Sequence, residues 1–146
     1  MQLTTTRELH FDADRDAVWA AVSRVADFPT WWPWLRRFDG TDLVTGAVWS
    51  CVIKPPLPYE LRVTVTLDEV VAPALVVATV AGEVTGTARL VLDEQHGDGC
   101  RAVLSSTLTP AQGVPRLVAR LAPAVARFGH DWVLEIGARQ FADRAL

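Results

Sequence analysis

The sequence predicts one α+β domain in which a curved antiparallel sheet of six to seven strands wraps around a long C-terminal helix. Extended runs rich in β-branched residues, separated by turn signals, fill residues 35–110. Apolar residues then recur at helical spacing. No linker, repeat or low-complexity segment divides residues 1–146, so we expect a single domain.

The N-terminal part predicts one strand followed by two short helices. Residues 3–11 alternate loosely in polarity and lead into Asp12 and Asp14, either of which suits a helix N-cap. Helical spacing of apolar residues predicts an amphipathic helix over about 15–25. The proline-rich segment 27–34 predicts a second, short helix or turn.

Six further strands are predicted between residues 35 and 110. The connections between them are too short for parallel crossovers, so neighbouring strands should pair antiparallel. The clearest strand starts at Tyr59, where apolar residues up to Leu67 alternate with polar residues such as Arg62. This alternation predicts one buried face and one solvated face, with Arg62 on the solvated face.

An apolar stripe marks the C-terminal helix, which should cover about residues 114–142. Its members follow at steps of three or four residues: Leu117, Leu121, Val125, Phe128, Trp132 and Ile136. We expect this stripe to face the sheet. Pro123 predicts a kink near residues 119–123. Gly129 and Gly137 suit a close approach to the sheet or room for a ligand, or are a tolerated loss of helix propensity.

This architecture predicts an internal cavity. A helix presents a narrow stripe, whereas a curved sheet of six or seven strands has a wide concave face that one helix does not fill. The composition is also apolar, with 50% hydrophobic and 21% charged residues. A large core, a lined pocket or a subunit interface would each account for this surplus.

Two segments carry a family resemblance: Asp-Phe-Pro-Thr-Trp-Trp-Pro-Trp at 27–34 and Phe-Gly-His-Asp-Trp-Val at 128–133. With the order of elements, they resemble the SRPBCC superfamily, the START-related group of the helix-grip fold, over nearly the whole chain. That group includes polyketide cyclase/dehydrase-like proteins, lipid-transfer domains and pollen-allergen-like ligand carriers. The resemblance implies a helix-grip fold and a hydrophobic cavity for lipids, polyketides or other apolar metabolites.

Charge and hydropathy exclude several partners. The formal net charge is −3 with no block of like charge, which argues against nucleic acid. No apolar run approaches the roughly 20 residues that span a bilayer, so we expect no stable membrane insertion. The polar N-terminus lacks the pattern of a signal peptide, and we expect a cytoplasmic location. The sequence predicts no particular oligomeric state.

Several catalytic signatures are absent from the sequence. It contains no Gly-x-Ser-x-Gly, no His-Glu-x-x-His and no Gly-rich phosphate loop, which argues against hydrolytic, zinc and nucleotide chemistry. His10, His96 and His130 are scattered, so no metal site and no cofactor are predicted. Cys51 and Cys100 form no Cys-x-x-Cys motif, and we expect both to be small buried apolar residues.

Aromatic residues and the alternating strand supply the predicted ligand-binding residues. Large flat side chains bind apolar rings or chains through contact area and stacking. At least one tryptophan of segment 27–34 is expected at the pocket mouth, the alternative being that all three close the open end of the sheet as core. The predicted set is Trp31, Trp32, Trp34, Trp49, Tyr59, Leu61, Val63, Phe128 and Trp132.

Three residues are candidates for proton transfer. Glu135 flanks the apolar stripe, where a buried carboxylate can act as a general acid or base. Tyr59 lies near a strand end, where its hydroxyl can meet a ligand oxygen, although pure packing is the alternative. His130 lies near the edge of the opposite helix face, where a surface or capping role competes with proton transfer.

A basic edge runs along the last predicted helix. Arg116, Arg120 and Arg127 suit a fatty-acid carboxylate or an anionic membrane, and such a row is otherwise a solvated helix face.

Three functions are compatible with these patterns. The first is a carrier or sensor of an apolar small molecule, favoured because a cavity and aromatic residues are predicted without an assembled catalytic set. The second is a polyketide cyclase or dehydratase that uses one acid/base residue in the same cavity. The third is a chaperone-cofactor-like interaction protein with the apolar surplus on its surface. Inward-facing polar residues favour the enzyme, and a filled cavity favours the third.

Overall fold

The computed structural model describes residues 2–95, 97 and 99–146 and contains an open sheet of seven strands with helices at both ends of the chain. The strands are β1 (Leu3–Phe11), β2 (Leu35–Asp39), β3 (Val48–Ile53), β4 (Leu61–Val71), β5 (Leu75–Gly82), β6 (Val84–Glu94) and β7 (Cys100–Pro110). The helices are α1 (Arg15–Val22), α2 (Phe28–Trp31), α3 (Gly113–Leu121) and α4 (Pro123–Ala145), with a 3₁₀ turn at Val25–Asp27.

The sheet has the order β1-β7-β6-β5-β4-β3-β2, and every neighbouring pair is antiparallel. Strands β2 to β7 therefore form a meander, and β1 returns to pair with β7 from Leu3 opposite Leu108 to Phe11 opposite Cys100. The predicted seven-stranded antiparallel sheet, the two short helices after the first strand and the helix-grip arrangement are confirmed.

The two short helices near the N-terminus begin at residues that favour helix starts. Asp14 is the cap of α1, and its Oδ1 accepts a hydrogen bond of 2.7 Å from the backbone N–H of Ala17. α1 buries Val18 and Ala21. Pro29 sits in the first turn of α2, where its missing N–H costs no helical hydrogen bond.

The C-terminal helix is broken at Ala122, where the sequence predicted only a kink. Ala122 has φ −144° and ψ 73°, outside the helical region. Pro123 causes the break because its ring disfavours a helical conformation in the residue before it and it has no N–H to donate. Pro123 then begins α4 at a position that tolerates proline.

The predicted orientation of the apolar stripe is wrong for its first half. Leu117, Leu121 and Phe128 are 54%, 76% and 52% exposed, so they do not face the sheet. The inner face of the two helices instead carries small residues, including Ala126 and Gly129.

Two glycines of α4 show how little room the inner face has. A Cβ atom on Gly137 would lie 3.2 Å from Cζ2 of Trp34, and one on Gly129 would lie 2.8 Å from Cδ1 of Leu57. These two glycines therefore let α4 closely approach the segments that carry Trp34 and Leu57.

The main core lies at the end of the sheet covered by α1, α2 and the last turns of α4. Phe28 is its centre, with ring centroids 4.9–5.6 Å from those of Trp31, Trp32, Phe38 and Trp49. Both cysteines are buried and unbridged there, as predicted. Among the described residues, no helix is both long and apolar enough to cross a membrane.

Candidate functional site

A cavity of about 220 Å³ lies between the sheet and the two C-terminal helices, away from the aromatic core. β4 lines it with every second residue, Leu61, Val63 and Val65, because side chains alternate between the faces of a strand. Ala126 and Gly129 of α4 line the opposite wall. The lining is mostly apolar, so water inside it finds few hydrogen-bond partners.

β7 places one polar side chain in this apolar wall. Leu104, Ser106 and Leu108 point to the same face of the strand and all line the cavity. Ser106 is 7% exposed, and it is paired with Ala88 of β6 and Thr5 of β1 in the sheet register. Its hydroxyl therefore has little access to bulk water.

His130 of α4 faces Ser106 across the cavity wall and is linked to a polar chain behind it. The distance from Nε2 of His130 to Oγ of Ser106 is 3.4 Å. On the other side of the ring, Nδ1 lies 3.4 Å from Oγ1 of Thr5 and 3.3 Å from Oδ1 of Asp131. Arg7 Nη2 lies 4.0 Å from the same Asp131 oxygen. The chain runs from the half-exposed Asp131 to the buried Ser106.

Burial lowers the pKa of His130 below its ordinary value, because a charged imidazolium is poorly solvated there. Asp131 opposes this shift by hydrogen bonding and by its charge, whereas Arg127 and Arg7 add to it. The His130 side chain is only 10% exposed, which agrees with burial as the main cause. The imidazole is therefore neutral at neutral pH.

A neutral imidazole in this setting has a defined chemistry. In the tautomer whose Nδ1–H donates to Asp131, Nε2 carries a lone pair and faces Ser106 at the cavity wall. That nitrogen can accept a hydrogen bond or a proton from a molecule in the cavity, and Asp131 stabilises the ring orientation. His130 is thus not the surface residue that the helical pattern allowed.

Three of the predicted ligand-binding residues line the cavity: Tyr59, Leu61 and Val63. Burial raises the pKa of the Tyr59 phenol, so its hydroxyl stays protonated and is a hydrogen-bond donor. Tyr59 therefore suits a binding role better than that of a base.

The tryptophans of the proline-rich segment do not line this cavity. Trp31 is buried, Trp32 and Trp34 stack with centroids 5.5 Å apart, and all three belong to the aromatic core, as does Trp49. This placement agrees with the alternative that all three close the end of the sheet as core. Trp31 and Trp32 pack on Phe28, and Trp34 packs on Trp32, because the short α2 and the turn after it place these rings over the end of the sheet.

Phe128, Trp132 and Glu135 are likewise absent from the cavity wall. Phe128 is on the outer face, Trp132 is half-buried, and the Glu135 side chain is 65% exposed. Oε1 of Glu135 lies 3.5 Å from Nη2 of Arg139 one turn later. The lining of this cavity therefore does not support the roles predicted for these three residues.

Sequence reasoning missed several residues of the site. Ser106 carried one signal, a polar residue in phase with Leu104 and Leu108 on a strand. Val133 and Leu134 of α4 line the cavity next to His130, but they lie outside the apolar stripe. Thr5 joins the polar chain only through the pairing of β1 with β7, which no local pattern reveals.

Within the described part of the chain, no group of three or more His, Cys, Asp or Glu side chains could hold a metal ion. His10 is exposed on β1, and His96 lies outside the described residues.

Comparison with protein-family models identifies this architecture. Residues 2–145 match the family described as polyketide cyclase/dehydrase and lipid transport. The chain belongs to this polyketide cyclase/dehydrase and lipid transport family. The SRPBCC resemblance is thereby confirmed, and the fold is a START/polyketide cyclase-like ligand-binding fold. No curated protein matches the sequence of this family member.

Solved structures share the fold of this polyketide cyclase/dehydrase family member at low identity. A START superfamily protein from Mycobacterium smegmatis is 11% identical, with 97% of this chain and 96% of that chain covered and a TM-score of 0.74. The Zhui aromatase/cyclase from Streptomyces sp. R1128 is 17% identical, with 98% and 90% covered and a TM-score of 0.72. Norcoclaurine synthase from Thalictrum flavum, in complex with dopamine and hydroxybenzaldehyde, is 14% identical, with 99% and 88% covered and a TM-score of 0.66.

Proposed function

We propose that this protein is a carrier or sensor that binds one apolar small molecule in the cavity between the sheet and helices α3 and α4. The observation that carries the proposal is the set of side chains that line the cavity. Strands and helices both present apolar side chains to the cavity, and Ser106 and His130 form a polar pair within it. Apolar walls with a few placed polar groups are typical of small-molecule sites.

The size of the cavity supports a small ligand. Its volume of about 220 Å³ exceeds the roughly 150 Å³ of an apolar cavity that holds benzene and is below the roughly 300–1,000 Å³ of drug-sized sites. A molecule with one or two rings, or a short acyl chain, fits this space better than a sterol. The dopamine and hydroxybenzaldehyde of the norcoclaurine synthase complex are one-ring molecules, which supports the same size class in this fold.

The polar pair supports a ligand with one oxygen-containing group. The 3.4 Å between Ser106 Oγ and His130 Nε2 is long for a hydrogen bond, so both atoms retain capacity for a third partner. The Tyr59 hydroxyl adds a donor at the cavity wall. A phenol, a ketone or a carboxylic acid would satisfy these groups on an otherwise apolar molecule.

A cavity-filling variant tests the proposal. We expect Ala126→Leu to occupy the cavity and to weaken ligand binding at least tenfold, because Ala126 lines it. Ala124→Leu is the matched control, since Ala124 is exposed on the same helix and receives the same added volume outside the cavity. Binding is measured by native mass spectrometry and calorimetry with one-ring phenols, medium-chain fatty acids and aromatic polyketides. A panel without saturable binding, or equal loss in both variants, contradicts the proposal.

The second candidate is a cyclase- or dehydratase-like enzyme, and His130 is the observation that favours it. A neutral imidazole supported by Asp131 and directed at an apolar cavity suits abstraction of a proton from a bound polyketide-like substrate. We expect His130→Gln to abolish such turnover while ligand binding persists. Binding without turnover in the wild-type protein would leave the carrier function alone. The cytoplasmic location stays a prediction. The chaperone-cofactor-like function was expected to show a filled cavity with an exposed apolar patch, and the cavity favours the carrier over it.

A further inference from the structure

Five large apolar side chains are exposed on the two C-terminal helices, and together we call them the apolar ridge. Its members are Val114, Leu117, Leu121, Val125 and Phe128. The three on α3 lie within about 60° of one another on a helical wheel, as do the two on α4. All five are at least 38% exposed, and Leu121 is 76% exposed. Large apolar groups clustered in this way mark an interaction surface.

Three arginines lie on the same two helices as the apolar ridge. Arg116, Arg120 and Arg127 are exposed on the same helices, and residues 114–130 include no Asp or Glu. In the described part of the chain, none of these three guanidinium groups forms an ion pair with a carboxylate. The surrounding protein carries a net charge of −3, so this surface is locally positive on a negative molecule.

The opposite side of the same helices is the wall of the cavity. Pro115 of α3 and Ala126 and Gly129 of α4 line it, and each is a small or compact residue. The ridge and the cavity are therefore separated by a single layer of helix with short inward side chains.

We propose that the apolar ridge docks on the surface of an anionic lipid bilayer, with the arginines on lipid phosphates and the ridge side chains in the headgroup–acyl boundary. An amphipathic helix with basic residues beside its apolar face has the composition that binds in this plane. A second copy of the chain fits less well, because a two-fold contact would bring the arginines of both copies together without acidic partners on that face. The convex helix surface also needs no matching groove in a fluid bilayer.

Docking would place the thin cavity wall against the membrane. That placement rests on the proposed ligand-binding function and identifies the bilayer as the source or destination of the apolar ligand. Docking itself depends only on the ridge and the arginines.

Vesicle co-sedimentation of the full chain tests the proposal. We expect binding to vesicles of phosphatidylcholine mixed with phosphatidylglycerol, weakened by added salt, and little binding to phosphatidylcholine alone. Each arginine removed should weaken partitioning roughly fivefold, so Arg116→Gln/Arg120→Gln/Arg127→Gln should weaken it roughly a hundredfold. Leu117→Ser/Leu121→Ser should also lose binding, and its two positions are exposed, so the fold should persist.

The matched control is Arg36→Gln/Arg62→Gln/Arg89→Gln, which removes the same charge from exposed positions on the strands. We expect this variant to bind vesicles as the wild type does. Equal loss in both triple variants, or no binding to anionic vesicles, overturns the proposal. A dimer in light scattering that dissociates in Leu117→Ser/Leu121→Ser also overturns it and assigns the ridge to a second copy.

The two proposals can fail separately. Ala126→Leu fills the cavity but leaves the outer face intact, so it should dock normally while ligand binding is lost. Ligand binding by the wild type in the absence of vesicles, together with absent docking, would reject the membrane surface and keep the cavity function.

Discussion

At the scale of single residues, His130 makes stability depend on pH. Burial lowers the pKa of His130 in the folded protein, whereas in the unfolded chain the ring titrates near the ordinary value of about 6.5. Below that value the unfolded state binds more protons than the folded state, so the free energy of unfolding falls as the pH falls. The contribution is fully present above the unfolded pKa and is lost towards the lower folded pKa.

We therefore expect the wild-type protein to lose more stability between pH 7.5 and 5 than His130→Gln does. Glutamine keeps a hydrogen-bonding group beside Ser106 and Thr5 but does not titrate, so it removes only the proton-linked part. Urea unfolding at several pH values measures the difference in slope between the two proteins. Parallel pH profiles would show that His130 is not buried as a neutral ring.

The residues of the site were predictable only where the signal was local. Alternation along β4 placed Leu61 and Val63 on the cavity side because the strand period of two is visible in consecutive residues. Tyr59 also lines the cavity, although the strand begins at Leu61 and not at Tyr59 as predicted. The contact between Ser106 and His130 joins two elements, and its existence depends on where α4 crosses β7. No pattern within either element carries that information.

At the scale of elements, the sequence predicted where strands and helices lie but not which side of the last helix faces inward. Helical spacing identifies a stripe of bulky apolar residues, and hydrophobicity assigns that stripe to the core. Apart from Phe141 near its end, the buried residues of these helices are small or compact ones such as Ala119, Ala126, Gly129 and Gly137, to which a hydropathy pattern is nearly blind. Trp34 and Leu57 determine which side of the helix faces inward, because they lie against Gly137 and Gly129 and leave no room for larger side chains there. Both residues come from distant parts of the chain.

This orientation predicts very different losses of stability when two apolar residues of the C-terminal helices, Phe141 and Leu121, are truncated to alanine. Phe141 is 6% exposed, and its ring centroid lies 5.5 Å from those of Trp31 and Phe11. Phe141→Ala should lower the free energy of unfolding by about 3–5 kcal/mol, because it leaves a cavity in the core. Leu121→Ala should change it by less than about 0.5 kcal/mol. Chemical denaturation of both variants checks the contrast, and similar costs would place Leu121 in the core after all.

At the scale of the whole molecule, α4 has two halves with different surroundings. Its last turns are hydrogen-bonded to the aromatic core. Trp32 Nε1 donates to the Gly137 carbonyl at 2.9 Å, and Arg144 Nη1 donates to the Trp31 carbonyl at 2.6 Å. Its first turns and α3 lie over the cavity and bury only small residues. The last turns of α4 are therefore held by the aromatic core, whereas α3 and the first turns of α4 are the part that a ligand in the cavity can stabilise.

The division predicts unequal protection from amide hydrogen exchange. Residues 116–129 should exchange faster than residues 132–145, because segments with few buried apolar contacts open locally at lower free energy. A ligand at about 100 times its dissociation constant should slow exchange in the first segment by at most the equivalent of about 2.7 kcal/mol, since it binds only the closed form. Exchange followed by mass spectrometry, with Ala126→Leu as the variant that receives no ligand, separates this effect from general stabilisation. Uniform protection along α4 in the free protein would contradict the division of the helix into two halves. Ligand protection confined to residues 132–145 would place the ligand at the aromatic end and not beneath the first turns of the helix.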